Sequence, residues 1–237
     1  MPYPAFWPSK HLILSVPFRS LNDQPEDSQF SPAELSAIVE EATRSSRVVA
    51  SHAIGKKGIM AALDAGVKSI EHGMYVDEEV AAKMKEKDAI LVPTRHIVEG
   101  LHSGAEKLPP PIQAKLDRMT QLSRESLKLA VAKGVKIALG TDTFSSDRKH
   151  PVSHGKNAKE LHWAVQAGMT PLQAIEMATA TAPETLGPQA PKAGLLKAGY
   201  DADIIAVAAN PLDDIEVLTK VENITHVWKD GKLYKSP

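Results

Sequence analysis

The chain is 237 residues long, 43% hydrophobic and 24% charged, with a formal net charge of -1, which is enough apolar mass for a sizeable core. Near-neutral charge argues against a nucleic-acid surface, and no apolar run approaches the roughly 20 residues needed to span a bilayer. The absence of cysteine excludes disulfides and thiolate metal sites, so any metal must be held by histidine and carboxylate.

In chain order, residues 1–21 carry four prolines (Pro2, Pro4, Pro8, Pro17), and only residues 10–16 suit a strand. The apolar run 12–18 is short, contains Pro17 and lacks a small-residue cleavage site. It does not read as a signal peptide, and a cytoplasmic location is expected. Ser31-Pro32-Ala33-Glu34 opens a helix: Ser31 caps, Pro32 suits the first helical position and Glu34 reaches back. A strand over residues 48–52 ends in His52, and the following helix closes at Gly66. A second strand, 67–72, ends in His72, after which Asp77 caps a helix through Lys85. Residues 89–94 form a third strand, followed by a polar, proline-rich connection to Pro109-Pro110-Pro111. A long amphipathic helix then presents Ile112, Leu116, Met119, Leu122 and Leu129 to the core and stops at Gly134. The fourth strand, from Val135, leads through Gly140-Thr141 to Asp142. Helices are expected over residues 154–167 and from Thr170-Pro171 to about Leu186. The tail reads as β, with strands at 203–207 and 226–234 and a hairpin signal at Asp230-Gly231.

Strand and helix thus alternate four times, as in a (β/α)8 barrel or a doubly wound sheet. A complete barrel takes about 250 residues. The expected fold is therefore α/β: a partial (β/α)8 TIM barrel plus a small C-terminal β segment. The expected division is an atypical N-terminal segment 1–21, a partial barrel 22–187 and a β-sandwich segment 188–237. Parallel βα units carry functional groups at the carboxyl ends of their strands. His52, His72 and Asp142 stand at three such tips.

Several short motifs occur in a specific order: Ser51-His52-Ala53, Ile70-Glu71-His72-Gly73, Leu139-Gly140-Thr141-Asp142, His154-Gly155-Lys156-Asn157-Ala158, Ala167-Gly168-Met169-Thr170-Pro171, then Gly199-Tyr200-Asp201-Ala202-Asp203, Asn210-Pro211-Leu212 and Lys229-Asp230-Gly231. In this order they resemble the metal-dependent amidohydrolase superfamily. The resemblance points to its imidazolonepropionase-like and Xaa-Pro dipeptidase-like branch, which also includes ochratoxin-hydrolysing amidases. It implies strands 5–8 of a (β/α)8 barrel and a β-sandwich segment. It makes His52 and His72 the fifth- and sixth-strand metal ligands, and Asp142 the eighth-strand ligand and proton shuttle. The implied cofactor is a divalent metal, with zinc the expected ion. The implied partner is a small-molecule amide or peptide substrate, which His154 and Tyr75 would contact.

The departures are equally specific. No His-x-His occurs in the chain, and the position of the superfamily's lysine falls near His11, beside Lys10, in a stretch unlike the superfamily strand. Glu71 is expected to point away from the site by strand alternation, and Asp203 to organise a turn. Arg95 and His96 are expected on a loop near the pocket mouth. The expected enzyme is a metal-dependent carbon–nitrogen hydrolase, truncated and impaired. The alternative is a non-catalytic paralogue or weakly metal-binding fragment. Unpaired strand edges make self-association into a homo-oligomer the expected state.

Overall fold

The computed structural model describes residues 29–104 and 109–237, together with the backbone of residues 10–13. Its centre is a four-stranded parallel sheet in sequential order: β1 (Lys10–Ile13), β2 (Val49–Ala53), β3 (Ser69–His72) and β4 (Ile90–Val92). The expected fourth strand is present in position but not as a full ladder. Ile137 makes a single parallel bridge with Leu91, supported by Leu91 N–H to the Lys136 carbonyl and Ala138 N–H to the Leu91 carbonyl, both 2.9 Å. The ladder stops there because the next residue in register to donate to the Ala138 carbonyl is Pro93, which has no N–H, while Leu139 N–H points to the other side and bonds the Met177 carbonyl at 3.1 Å.

Helix α1 (Pro32–Arg44) precedes β2, α2 (Lys56–Ala65) joins β2 to β3, and α3 (Glu78–Glu86) joins β3 to β4. Their ends follow local chemistry. Ser31 and Glu34 form the expected capping box, Gly66 closes α2 at φ 90°, and Asp77 caps α3. These helices cover one face of the sheet. Leu35 of α1, Leu63 of α2, Met84 of α3 and the strand residues Val49, Ile70 and Leu91 share the main core.

The connection expected to be irregular after β4 contains a helix, α4 (Arg95–Gly104), which lies against α5 (Pro110–Ala132). On α5, Leu116 and Met119 are buried as expected, whereas Ile112 is exposed because it sits in the first turn, beyond the reach of the core. Helix α6 (Lys159–Gln166) begins later than expected. Residues 154–158 form turns instead, with Gly155 at φ 89° and its N–H donated to Asn157 Oδ1. Helix α7 (Pro171–Ala178) starts on the Thr170–Gln173 capping box and ends before the 3-10 segment Ala182–Gln189. Thr179, at φ -122° and ψ -80°, leaves the helical region and ends α7 earlier than expected.

The tail folds as an antiparallel sheet of β5 (Ile204–Val207), β6 (Ile224–Lys229) and β7 (Lys232–Lys235). Asp230 and Gly231 turn the hairpin at φ 51° and 72°. Asp203 holds that turn, accepting from Asp230 N–H at 2.7 Å and pairing with Lys229 at 2.6 Å. Among the described residues no helix is long and apolar enough to cross a membrane.

Candidate functional site

The second face of the parallel sheet carries the polar residues. On β2, Val49 and Ala53 point into the helix-covered core, so His52 points to the opposite face by alternation. On β3, Ile70 points to the core, which puts Ser69 and Glu71 on the site face. Glu71 therefore lines the cleft, contrary to expectation, and accepts a hydrogen bond of 2.6 Å from the Ser69 hydroxyl. The physical reason is that His72 leaves the alternation. Its backbone adopts φ 73°, and this turns its side chain onto the same face as its neighbour.

Left-handed backbone recurs at the next tips. Thr94 follows β4 at φ 47° and Asp142 ends the bridged segment at φ 51°. Non-glycine residues in this region are strained, a β-branched threonine most of all, and such strain concentrates at functional sites. His52, His72, Thr94 and Asp142, with Glu71, line one cleft of about 320 Å³. The two imidazoles meet edge to face, with ring centroids 4.3 Å apart and planes at 71°.

Burial, with His52 alongside, pushes the His72 pKa down to about 3. His72 is thus neutral at physiological pH, the form that ligates metals. Its Nδ1 shares a 2.6 Å hydrogen bond with the buried Thr94 hydroxyl, which fixes the ring and leaves Nε2 for the cleft. Burial raises the Asp142 carboxyl above the ordinary range, against the pull of His52. Glu71 is pushed up to about 7 by burial, with the Asp142 charge adding to the rise and the Ser69 hydrogen bond opposing it.

Thr94 escaped the sequence reading. The available signal was its place at the tip of a strand whose neighbours both end in a site residue. Arg95 and His96 are not loop residues at the mouth. They are buried at the start of α4, where Glu160 of α6 caps the helix by accepting Arg95 N–H at 2.8 Å and His96 N–H at 2.7 Å. The Arg95 guanidinium lies 5.0 Å from the Trp163 ring centre and pairs with buried Glu99, which also binds Arg124 of α5 at 2.7 Å. Glu160 and Glu99 thereby set where α4 sits over the cleft. Burial pushes Glu160 up to about 7 against the two N–H donors. Between about pH 4.5 and 7 the folded chain holds a proton there that the unfolded chain has lost. The stability contributed by this group falls as pH rises through that window. Denaturant titration should therefore show wild type losing about 2 kcal/mol relative to Glu160→Gln between pH 5 and pH 8. A constant difference would refute the shift.

Residues 21–234 match the family model described as the amidohydrolase family. The chain belongs to the amidohydrolase family. It is 49% identical over 220 residues to an ochratoxinase of Aspergillus niger, covering 92% of this chain and 44% of that protein. The crystal structure of the A. niger ochratoxinase superposes with TM-score 0.87 at 47% identity, over 97% of this chain and 51% of that one. A Xaa-Pro dipeptidase with bound methionine in its active site gives TM-score 0.81 at 33% identity, over 95% and 54%. A prolidase complexed with N-methylphosphonate-L-proline gives 0.85 at 30%, over 97% and 55%. The chain spans about half the length of these relatives.

The amidohydrolase fold here brings His52, His72 and Asp142 to one cleft. It does not bring His154 or Tyr75 among that cleft's lining residues. His154 is exposed, its N–H bonded to the Ser145 carbonyl at 2.9 Å. Tyr75 is half-buried and packs between the main core and a smaller apolar cluster. The side chain of Lys10 lies outside the described residues. In kind, two imidazoles and a carboxylate suit a divalent metal, and the neutral state of His72 suits one further. Among the described residues, however, no three histidine, aspartate or glutamate side chains close on one point to form a metal site.

Proposed function

We propose that this chain carries a metal-dependent amide- or peptide-hydrolysing site at the carboxyl ends of its parallel strands, within part of a (β/α)8 barrel. The observation that carries the reading is the gathering of His52, His72 and Asp142 in one cleft. The printed activities of the relatives, an ochratoxinase and a Xaa-Pro dipeptidase, support the reaction class. His52, His72 and Asp142 would hold a divalent ion, zinc being the expected one. Such an ion supplies Lewis acidity and makes a water acidic near neutral pH. Asp142 takes the proton of the attacking water as the oxygen adds to the amide carbon, and delivers it to the leaving nitrogen as the C–N bond breaks. His72 stays neutral and is held in place by Thr94. Tyr75 and His154 would meet the parts of a substrate that extend beyond the cleft. Self-association through exposed strand edges belongs to the same reading.

A second reading, a non-catalytic chain that binds metal weakly, is favoured by the lack of a closed three-ligand cluster among the described residues. One experiment separates the two. The purified chain is stripped with chelator, reloaded with zinc, manganese or cobalt, and assayed on dipeptides and N-acyl amino acids. The expected result is weak turnover that appears only with metal. Metal retention without turnover establishes the second reading, and turnover in chelator removes the metal from the mechanism.

A further inference from the structure

Asp142 stands on left-handed backbone, φ 51°, at the end of a segment held to β4 by a single bridge. A strained residue of this kind persists only where its surroundings over-determine it. Here the support comes through its two neighbours. The Asn157 side-chain amide donates from Nδ2 to the Thr141 hydroxyl at 2.9 Å and to the Thr143 hydroxyl at 3.3 Å. Those hydroxyls lie 3.3 Å from each other, so one amide grips the residues immediately before and after Asp142. The other end of the amide is fixed as well. Its Oδ1 accepts the Gly155 N–H at 3.1 Å, which leaves Nδ2, the donor end, to face the threonines. The Asn157 carbonyl in turn accepts the N–H of Glu160, the residue that caps α4. The turn over residues 154–158 therefore ties the Asp142 tip to the start of α6. Asn157 is exposed and stands outside the lining of the cleft, so it reaches the site through the threonines.

We propose that Asn157 is the positioning residue of Asp142: its amide, acting through the Thr141 and Thr143 hydroxyls, holds the carboxylate in the orientation that serves the cleft. This role rests on the hydrolase reading for what the carboxylate does, whereas the clamp is built from the chain's own hydrogen bonds. A neutral hydrogen bond adds only modestly to stability. The same bond decides much more in rate, because misplacing a reacting group by about 1 Å costs about 10²-fold.

The test compares wild type, Asn157→Ala, Asp142→Asn and the double variant that carries both changes. In the metal-free chain, NMR order parameters of the Thr141, Asp142 and Thr143 amides should fall from about 0.85 to below about 0.6 in Asn157→Ala, with those of α6 unchanged. In the metal-supplied chain, kcat on N-acyl amino acids should fall by about 10–100-fold in Asn157→Ala, with KM within about twofold of wild type. Once the carboxylate is gone there is nothing left to position. Asn157→Ala should then cost less than about twofold in the residual turnover of Asp142→Asn. Asn157→Leu, close in shape and without a donor, replaces Asn157→Ala should that variant not fold by Tm. Unchanged order parameters overturn the proposal. Undiminished turnover in Asn157→Ala, or a loss just as large in the Asp142→Asn background, overturns it while leaving the hydrolase reading intact. If wild type itself shows no turnover, the hydrolase reading falls and a calorimetric zinc titration decides. Zinc bound about tenfold more weakly by Asn157→Ala then keeps Asn157 as the residue that positions Asp142, and equal binding, or none by either protein, removes it.

Discussion

Replacing Asp142 with asparagine is expected to cut kcat/KM of the metal-supplied chain on N-acyl amino acids by about 10²–10⁴-fold, the usual loss when a positioned acid–base group is removed. Asparagine has nearly the same shape and tolerates the left-handed backbone found at this tip, φ 51°, as readily as aspartate does. The Tm should therefore stay within a few degrees of wild type, which separates loss of chemistry from loss of fold. The pH profile gives an independent check. The ionised carboxylate is the working form, and burial raises its pKa. Turnover should thus fall as pH falls through the carboxyl's pKa in the metal-supplied chain, where the cation opposes that rise, and Asp142→Asn should lack this limb. Wild-type turnover retained by Asp142→Asn would remove the shuttle role from this residue.

Removing His52 and His72 together should weaken zinc binding by more than about 100-fold, because loss of a mere outer partner of a ligand already costs about 10–100-fold. Thr94→Val keeps the β-branched shape at φ 47° and deletes only the hydroxyl that orients His72, so its effect should fall within that smaller range. Calorimetric titration of zinc into the three proteins measures both. Equal binding by the double variant would end the ligand assignment. Acid dependence sharpens the test. An ordinary imidazole would lose metal as pH falls through about 6.5, but burial keeps His72 neutral down to about 3. Proton competition at His72 therefore sets in well below 6.5. The same shift bears on folding. The unfolded chain takes up a proton at His72 from about 6.5 downward while the folded chain does not. Stability from this group is complete above that pH and is lost as pH falls toward about 3.

The helix starts were legible because each is settled by a few neighbouring residues. Ser31 with Glu34, Asp77 and Thr170 with Gln173 all cap as their local chemistry requires. The Asp230-Gly231 hairpin was legible for the same reason. Helix α4 was not. Residues 95–104 carry Gly100, Gly104 and two histidines, a composition that argues for loop. Here glycine is required by packing rather than by a turn: a Cβ on Gly100 would fall 2.4 Å from Val152, and one on Gly104 2.6 Å from Pro151. Helix α4 is held by that close approach and by a cap that comes from Glu160, more than sixty residues away in sequence.

The sequence by itself determined the alternation of β2, β3 and β4 with their helices, the caps that start α1, α3 and α7, and the placement of His52 and His72 at two strand tips. These follow from period, capping and turn chemistry, which act over a few residues. Only the tertiary structure decided which side chains share the cleft. Alternation alone would have sent His72 to the core and left Glu71 without it. Positive φ at His72, Thr94 and Asp142 brought all three in beside Glu71. Local preferences are worth at most about 1 kcal/mol per residue. Buried hydrogen bonds such as His72–Thr94, and the close packing of α4 and α5 over the sheet, act together across the chain and outweigh them.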